Sequence, residues 1–367
     1  MFVEIALEEG LKRASTEFIV MQLQLASVFF TFSMGTKIHF YGRTLLHGGA
    51  KYRPTGRGFV VFHAKFAENY RLYSRSHFVK GLELLILLIV YNVYGSSVHK
   101  TIPYLLITFS QWFLVGTWLF APFLFNPSGF EWQKIVDDWD DWTKWINNRG
   151  GIGIPAEKSW ESWWEDEQAH LRSSGLGGQV IEILLSARFL LYQYGLVYKL
   201  NVSHRSKSIL VYGVSWVILL FVLGLIKVVS MGRQQLSAGY QLFFRLFKGL
   251  LLVGVLVVLP VLFIFANLSI GDLFVSALAF LPTGWALIQI SQACRSLVKK
   301  IGMWESVKSL ARGYETLMGS MLIAPVAILA WFPFISEFQT RLLFNEAFSR
   351  GLHIQRLFAG RTEKKMN

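Results

Sequence analysis

Eight apolar runs follow one another along the chain: Phe18–Thr36, Gly81–Ser97, Ile102–Phe125, Gln179–Tyr198, Ile209–Val229, Gly249–Asn267, Leu273–Ala293 and Leu317–Phe338. A helix needs about 20 residues to cross about 30 Å of hydrocarbon, and most of these runs are that long. Only 16% of the residues are charged and 53% are hydrophobic, whereas soluble domains carry about a quarter charged residues. The chain therefore reads as all-α: a polytopic transmembrane helix bundle of about seven to eight membrane helices, with interfacial amphipathic helices beside them. Gln22 and Gln24 make the first run less oily than the rest, which suits a segment that lies in the interface or re-enters. Runs 81–97 and 102–125 form a hairpin, and Asn126-Pro-Ser-Gly129 stops the second with turn residues. Pro325 and Pro333 are expected to kink the last run, which neighbouring helices tolerate inside a membrane. These features divide the chain at 1–80, 81–126, 127–178, 179–338 and a polar tail, 339–367.

Charge sets the orientation. Residues 37–80 carry nine Lys or Arg against one acid, Glu68, and basic residues beside a membrane segment resist translocation. With 37–80 inside, the sides alternate. Inside segments then hold 23 Lys or Arg and outside segments ten, six of those ten in the tail. Either the tail is translocated regardless of its charge, or one run is not a full crossing. This bias accounts for the net charge of +13, and no nucleic acid partner is expected. Single Cys294 excludes a disulfide framework and a multi-cysteine metal site. Met1–Gly10 is short and acidic and is not a signal peptide; a start that runs at once into a membrane helix suggests a piece of something longer. Asn201-Val-Ser203 and Asn267-Leu-Ser269 match the glycosylation sequon and fall outside.

The stretch with the most chemistry is Arg53-Pro-Thr-Gly-Arg-Gly58. Gly56 and Gly58 can take positive φ and leave backbone N–H groups uncovered for a phosphate oxygen. Arg53 and Arg57 offer planar forks for bidentate phosphate contact. The plainer reading, a solvated basic loop against anionic lipid, is the one composition favours. Arg188 lies in the middle of run 179–198, where a charge costs about 2.5–3.5 kcal/mol on insertion scales. It is expected to face other helices or water, as a structural ion pair or as the lining of a conduit.

Residues 127–178 form the long hydrophilic segment, with ten acids, five bases and many tryptophans. Trp132, Ile135, Trp139, Trp142 and Ile146 recur at three- and four-residue spacing, one apolar face of an amphipathic helix lying on the membrane or against a partner domain. Asp138-Trp-Asp140 has the form of a metal- and sugar-diphosphate-binding pair, but its helical setting favours a solvated face. No Walker loop, dinucleotide glycine fingerprint or His-Glu-x-x-His is present. No catalytic residue and no metal ligand is assigned.

The runs from Met21 to Gly81, WLFAPFLFNPSGFEWQKIV, RGGIGIPAEKSWESWWEDE, AFLPTGWALI and FPFISEFQTRLLFNEAFSRGL resemble the C-terminal membrane region of plant callose synthases and, more distantly, fungal 1,3-β-glucan synthases. The likeness covers essentially the whole chain and includes the family's Arg-x-Thr-Gly motif, here Arg53, Thr55 and Gly56. It implies a processive glucosyltransferase of the plasma membrane, multi-pass, that polymerises UDP-glucose at the cytosolic face and passes 1,3-β-glucan outward. It also implies that the catalytic glycosyltransferase domain lies elsewhere. This chain alone would then be inactive and hold no cofactor, and any divalent metal belongs with the missing domain. Arg53, Thr55, Gly56, Arg57 and Gly58 become substrate-binding candidates and Arg188 a conduit candidate. Membrane lipid and subunits of a synthase complex are the expected partners. A stand-alone transporter or channel, and a truncated non-catalytic subunit, are the rival readings.

Overall fold

The computed structural model describes residues 2–47, 63–95, 102–148, 150, 153–173, 175–199, 216–217, 224 and 270–344. All regular structure among them is helical. Two predicted runs, Ile209–Val229 and Gly249–Asn267, lie outside the described residues apart from 216–217 and 224. Residues divide into two compact units, Met1–Leu85 with Leu106–Trp164 and Met318–Asn367, and Ile86–Leu105 with Glu165–Leu317.

The first unit opens with α1 (Phe2–Glu9), α2 (Leu11–Leu23) and α3 (Ala26–His47). The axis bends by 57° between α2 and α3. At the break Leu25 takes a positive φ of 59°, uncommon for a side chain of that size, and Ser27 donates to the Gln22 side chain at 2.5 Å. The first apolar run is thus broken at the glutamines that make it polar. After the undescribed stretch comes α4 (Phe66–Tyr73), which passes through a π-helical segment (Ser74–Phe78) directly into α5 (Val79–Gly95). α6 (Ile102–Leu124) ends at the Asn126–Gly129 turn, where Ser128 is also left-handed at φ 58°.

α7 (Trp132–Asn147) and α8 (Trp160–Glu167) follow. Together with α4 they enclose an aromatic core: Trp142 sits 4.5 Å from Tyr70, 5.1 Å from Phe66 and 5.3 Å from Trp145, ring centre to ring centre. Trp163 closes it against Trp145 at 5.6 Å. Such pairs contribute about 0.5–1.5 kcal/mol each beyond the area they bury. The expected apolar stripe of α7 is split. Ile135, Trp142 and Ile146 are buried, joined by Asp138 and Trp145, while Trp132 and Trp139 stand exposed on another face. The inner face of α7 therefore packs within its own chain.

In the second unit α9 (Ala169–Ser173) leads to α10 (Leu176–Lys199), which packs along α11 (Ile270–Ala293). Ser186 marks their contact, its hydroxyl 2.7 Å from the Glu182 carbonyl and 3.0 Å from Gln289 Oε1. A short α12 (Arg295–Lys300) precedes α13 (Trp304–Ala330). Arg295 reaches Glu165 at 3.2 Å and stacks over Trp304.

α13 enters the first unit at Met318 and is followed there by α14 (Pro333–Phe338) and a π-helical segment (Gln339–Phe344). Pro325 lies within the helix, while Pro333 starts α14 instead of kinking the last run. There its fixed φ suits the first helical position and its missing N–H is not needed.

By length and composition, Leu106–Leu124 of α6 and Trp304–Ala330 could each cross a membrane, and the bent α2–α3 pair could be a third crossing. The expected seven to eight crossings are therefore met only in part among the described residues.

Candidate functional site

Arg53, Thr55, Gly56, Arg57 and Gly58 lie outside the described residues. The chain re-emerges from that stretch at His63, and its seating there is defined. His63 is held on both ring nitrogens: Nδ1 lies 2.9 Å from the Pro127 carbonyl and Nε2 lies 3.1 Å from Asp138 Oδ2. A carbonyl and a carboxylate both accept, so both nitrogens must carry hydrogen, and only the imidazolium does. Burial opposes that charge. The hydrogen bonds to Asp138 and Pro127 and the Asp138 charge outweigh it, with Lys134 opposing, and raise the His63 pKa above its ordinary value.

The next residues extend the anchor. Ala64 pairs both ways with the Asn126 side chain, its N–H donating to Oδ1 and its carbonyl accepting from Nδ2, each at 2.8 Å. Lys65 bonds Asp141, a contact that raises the lysine pKa. Arg71 of α4 donates to the Glu157 carbonyl at 3.2 Å and lies over Trp145, while Arg75 of the π-helical segment lies 5.2 Å above Trp163. Three basic residues of the segment are thus committed to the α7–α8 framework, which gives them a structural task that composition did not show.

Asp138 is not the solvated residue expected from its neighbours. It faces inward to His63, whereas Asp140 pairs with Lys144 on the exposed side. A buried acid in a run of four could have been suspected from its spacing of three and four residues to Ile135 and Trp142. Its partner, 75 residues away, could not.

A second histidine gives the contrast. His77 is fully buried in the π-helical segment. Its Nε2 donates to the Phe32 carbonyl at 2.8 Å and its Nδ1 lies 2.7 Å from the Ser76 hydroxyl. One donor and one acceptor suffice, and a neutral ring satisfies both. Gly35 makes the approach feasible, because a Cβ there would lie 2.6 Å from His77 Nε2.

Gln339 completes the turn after α6. Its amide nitrogen reaches the carbonyls of Phe123, Leu124 and Asn126 at 3.2, 3.0 and 2.8 Å. The end of a helix leaves its last carbonyls short of intrahelical partners; here Phe123 and Asn126 also accept from the N–H groups of Asn126 and Gly129, and Gln339 adds to them and reaches Leu124. The alternation of sides put the tail opposite segment 127–178. Gln339 instead brings the start of the tail to the same end of α6 as the Asn126–Gly129 turn.

Arg188 is half-buried, its guanidinium donating to the Leu185 carbonyl and lying 4.4 Å over Phe189. Glu182, six residues earlier, lies 3.9 Å from His170. Among the described residues no group of three or more His, Cys, Asp or Glu is placed to hold a metal ion.

The sequence profile described as 1,3-beta-glucan synthase component matches residues 1–270. The chain is 64% identical over 365 residues to Callose synthase 7 of Arabidopsis thaliana. It is 62% identical over 370 residues to Callose synthase 5 and 63% over 360 residues to Callose synthase 3 of the same plant. These alignments take in 98–100% of this chain but only 18–19% of each relative, so the chain spans about a fifth of the length of the curated relatives it matches. No solved structure matches.

Proposed function

The chain belongs to the 1,3-β-glucan synthase family, and from that premise we propose that it is the C-terminal membrane region of a callose synthase. In this reading a catalytic domain outside these 367 residues polymerises glucose from UDP-glucose at the cytosolic face of the plasma membrane. The helices described above then carry the 1,3-β-glucan across, so that the chain alone makes no polymer. The observation that carries the reading is identity of 62–64% sustained over the full chain with three callose synthases.

Arg53 and Arg57 are assigned to the diphosphate of UDP-glucose, with Gly56 and Gly58 opening backbone N–H groups beside them and Thr55 between. His63, Ala64 and Lys65 serve as the fixed end of that loop. Anchoring one end lowers the ordering cost of placing the arginines on an anion. Arg188, at the middle of α10, is assigned to the conduit for the polymer.

A chimaera tests the whole: a full-length callose synthase in which these 367 residues replace the matching region, assayed in membranes for incorporation of labelled UDP-glucose into glucan. Retained synthesis is expected, and a folded, inserted but silent chimaera overturns the reading. In the active chimaera Arg53→Ala and Arg57→Ala each remove charge-assisted phosphate contacts worth about 1.5–3 kcal/mol, a rise in KM for UDP-glucose of about 10- to 100-fold. An unchanged KM removes the phosphate assignment while leaving the family reading standing.

A further inference from the structure

α13 meets the length and composition needed to cross a bilayer, yet its neighbour in the first unit does not belong in hydrocarbon. Trp132 at the start of α7 lies 6.2 Å from Trp331 just beyond α13. Trp142, ten residues on, packs against Gly319, whose Cβ would lie 2.3 Å from the indole. These two contacts set α7 antiparallel along the C-terminal half of α13, over about 15–18 Å. Along that length α7 carries Lys134, Asp137, Asp138, Asp140, Asp141 and Lys144. Each charge costs about 2.5–3.5 kcal/mol at the centre of a bilayer, so α7 lies outside the core and the helix beside it shares its depth.

The surface of α7 has three sectors at 100° per residue. Buried residues occupy one and charged residues a second. The third is the stripe Trp132, Val136 and Trp139, exposed by 50, 44 and 42%. On α13, Met321 and Ile328 are likewise exposed, and Trp331 follows at 73%. Apolar stripes rimmed by charge and rich in tryptophan suit the boundary between headgroups and acyl chains.

The charge balance points the same way. If the last run is not a crossing, the tail stays on the side of 37–80. The division of Lys and Arg then moves from 23 inside and ten outside to 29 and four. Gln339, returning to the end of α6, already places the start of the tail there.

We propose that the last apolar helix does not cross the membrane. From Gly319 onward α13 lies with α7 in the cytosolic headgroup–acyl boundary, and the stripe Trp132–Val136–Trp139 rests on lipid.

The test uses the full chain in a Cys294→Ser background. For sidedness, Asp137→Cys and Glu337→Cys, both exposed positions, are treated with an impermeant maleimide on intact yeast cells. Both are expected to stay unlabelled until the membrane is permeabilised. Labelling of Glu337→Cys alone in intact cells shows a crossing between them and overturns the proposal; labelling of both overturns its cytosolic side. For depth, Val136→Cys carries an environment-sensitive fluorophore in phosphatidylcholine vesicles containing spin-labelled lipid. Loss of fluorescence is expected with the spin label near the headgroup, greater than with a deep label and greater than for Asp137→Cys. An unquenched Val136 label, in water or under protein, overturns the lipid contact, and stronger quenching by the deep label overturns the interfacial depth.

Discussion

Each unit admits an aromatic ring through a glycine, and the two cases differ in what holds the ring. In the first, Trp142 lies on Gly319 and is enclosed by Phe66, Tyr70 and Trp145. In the second, Tyr314 lies on Gly284, where a Cβ would come within 2.0 Å of its hydroxyl oxygen, and that hydroxyl donates to the Leu281 carbonyl at 2.9 Å. The closer approach is the more easily relieved. Tyr314 touches with its tip, and swinging it aside breaks the Leu281 hydrogen bond and disturbs its contact with the Trp285 ring at 5.8 Å, whereas Trp142 touches with its ring edge and is hemmed in by three rings, Phe66, Tyr70 and Trp145. A close contact becomes costly through the confinement of the group it meets.

Substitutions sharpen or break that contrast. Gly319→Val should lower stability in micelles by about 3 kcal/mol, the upper range of overpacking; a change below that of Gly284→Val would show that Trp142 is free to move. Next comes His63→Leu, which leaves Asp138 buried without its partner at a cost of about 2–3 kcal/mol. The pKa of His63 is raised in the folded chain, so its contribution is complete below the ordinary value of about 6.5 and fades as pH rises through the folded value. Thermal unfolding of wild type and variant should therefore differ more at acid than at alkaline pH, and a pH-independent difference would remove the charged pair. Arg75→Met takes a guanidinium off Trp163 and should cost about 0.5–1 kcal/mol, read by the same unfolding measurement. Gly284→Ala is the smallest. One lost hydrogen bond of about 1 kcal/mol is offset by about 1 kcal/mol of helix propensity, so the melting temperature should hardly move.

Much of the helical plan was legible in the residues: the first run set apart by Gln22 and Gln24, where the axis bends, the stop at Asn126–Gly129, the Trp-rich helix at 132–147. Periodicity misassigned α7 because tryptophan satisfies both core and lipid, so the pattern of rings does not say which face turns inward. Asp138 joined the buried face because it lies three residues after Ile135 and four before Trp142, and Trp145 because it lies three after Trp142; of the two only the tryptophan is apolar. The anchor at His63 was hidden for a different reason. It depends on partners 64 and 75 residues away, and no local spacing encodes such a pairing. Arg53–Gly58 rests on its motif alone, whereas the histidine that seats the following residues carries no motif at all.

The amide of Gln339 that closes the end of α6 is made more than 200 residues after the carbonyls it serves. At a synthesis rate of about 5–20 residues per second, that helix end waits about 10–40 s on the ribosome for its partner. Throughout that interval water or a chaperone must stand in for one side chain, and a nascent chain halted anywhere before residue 339 carries an unsealed joint at the turn where His63, Asn126 and Asp138 meet.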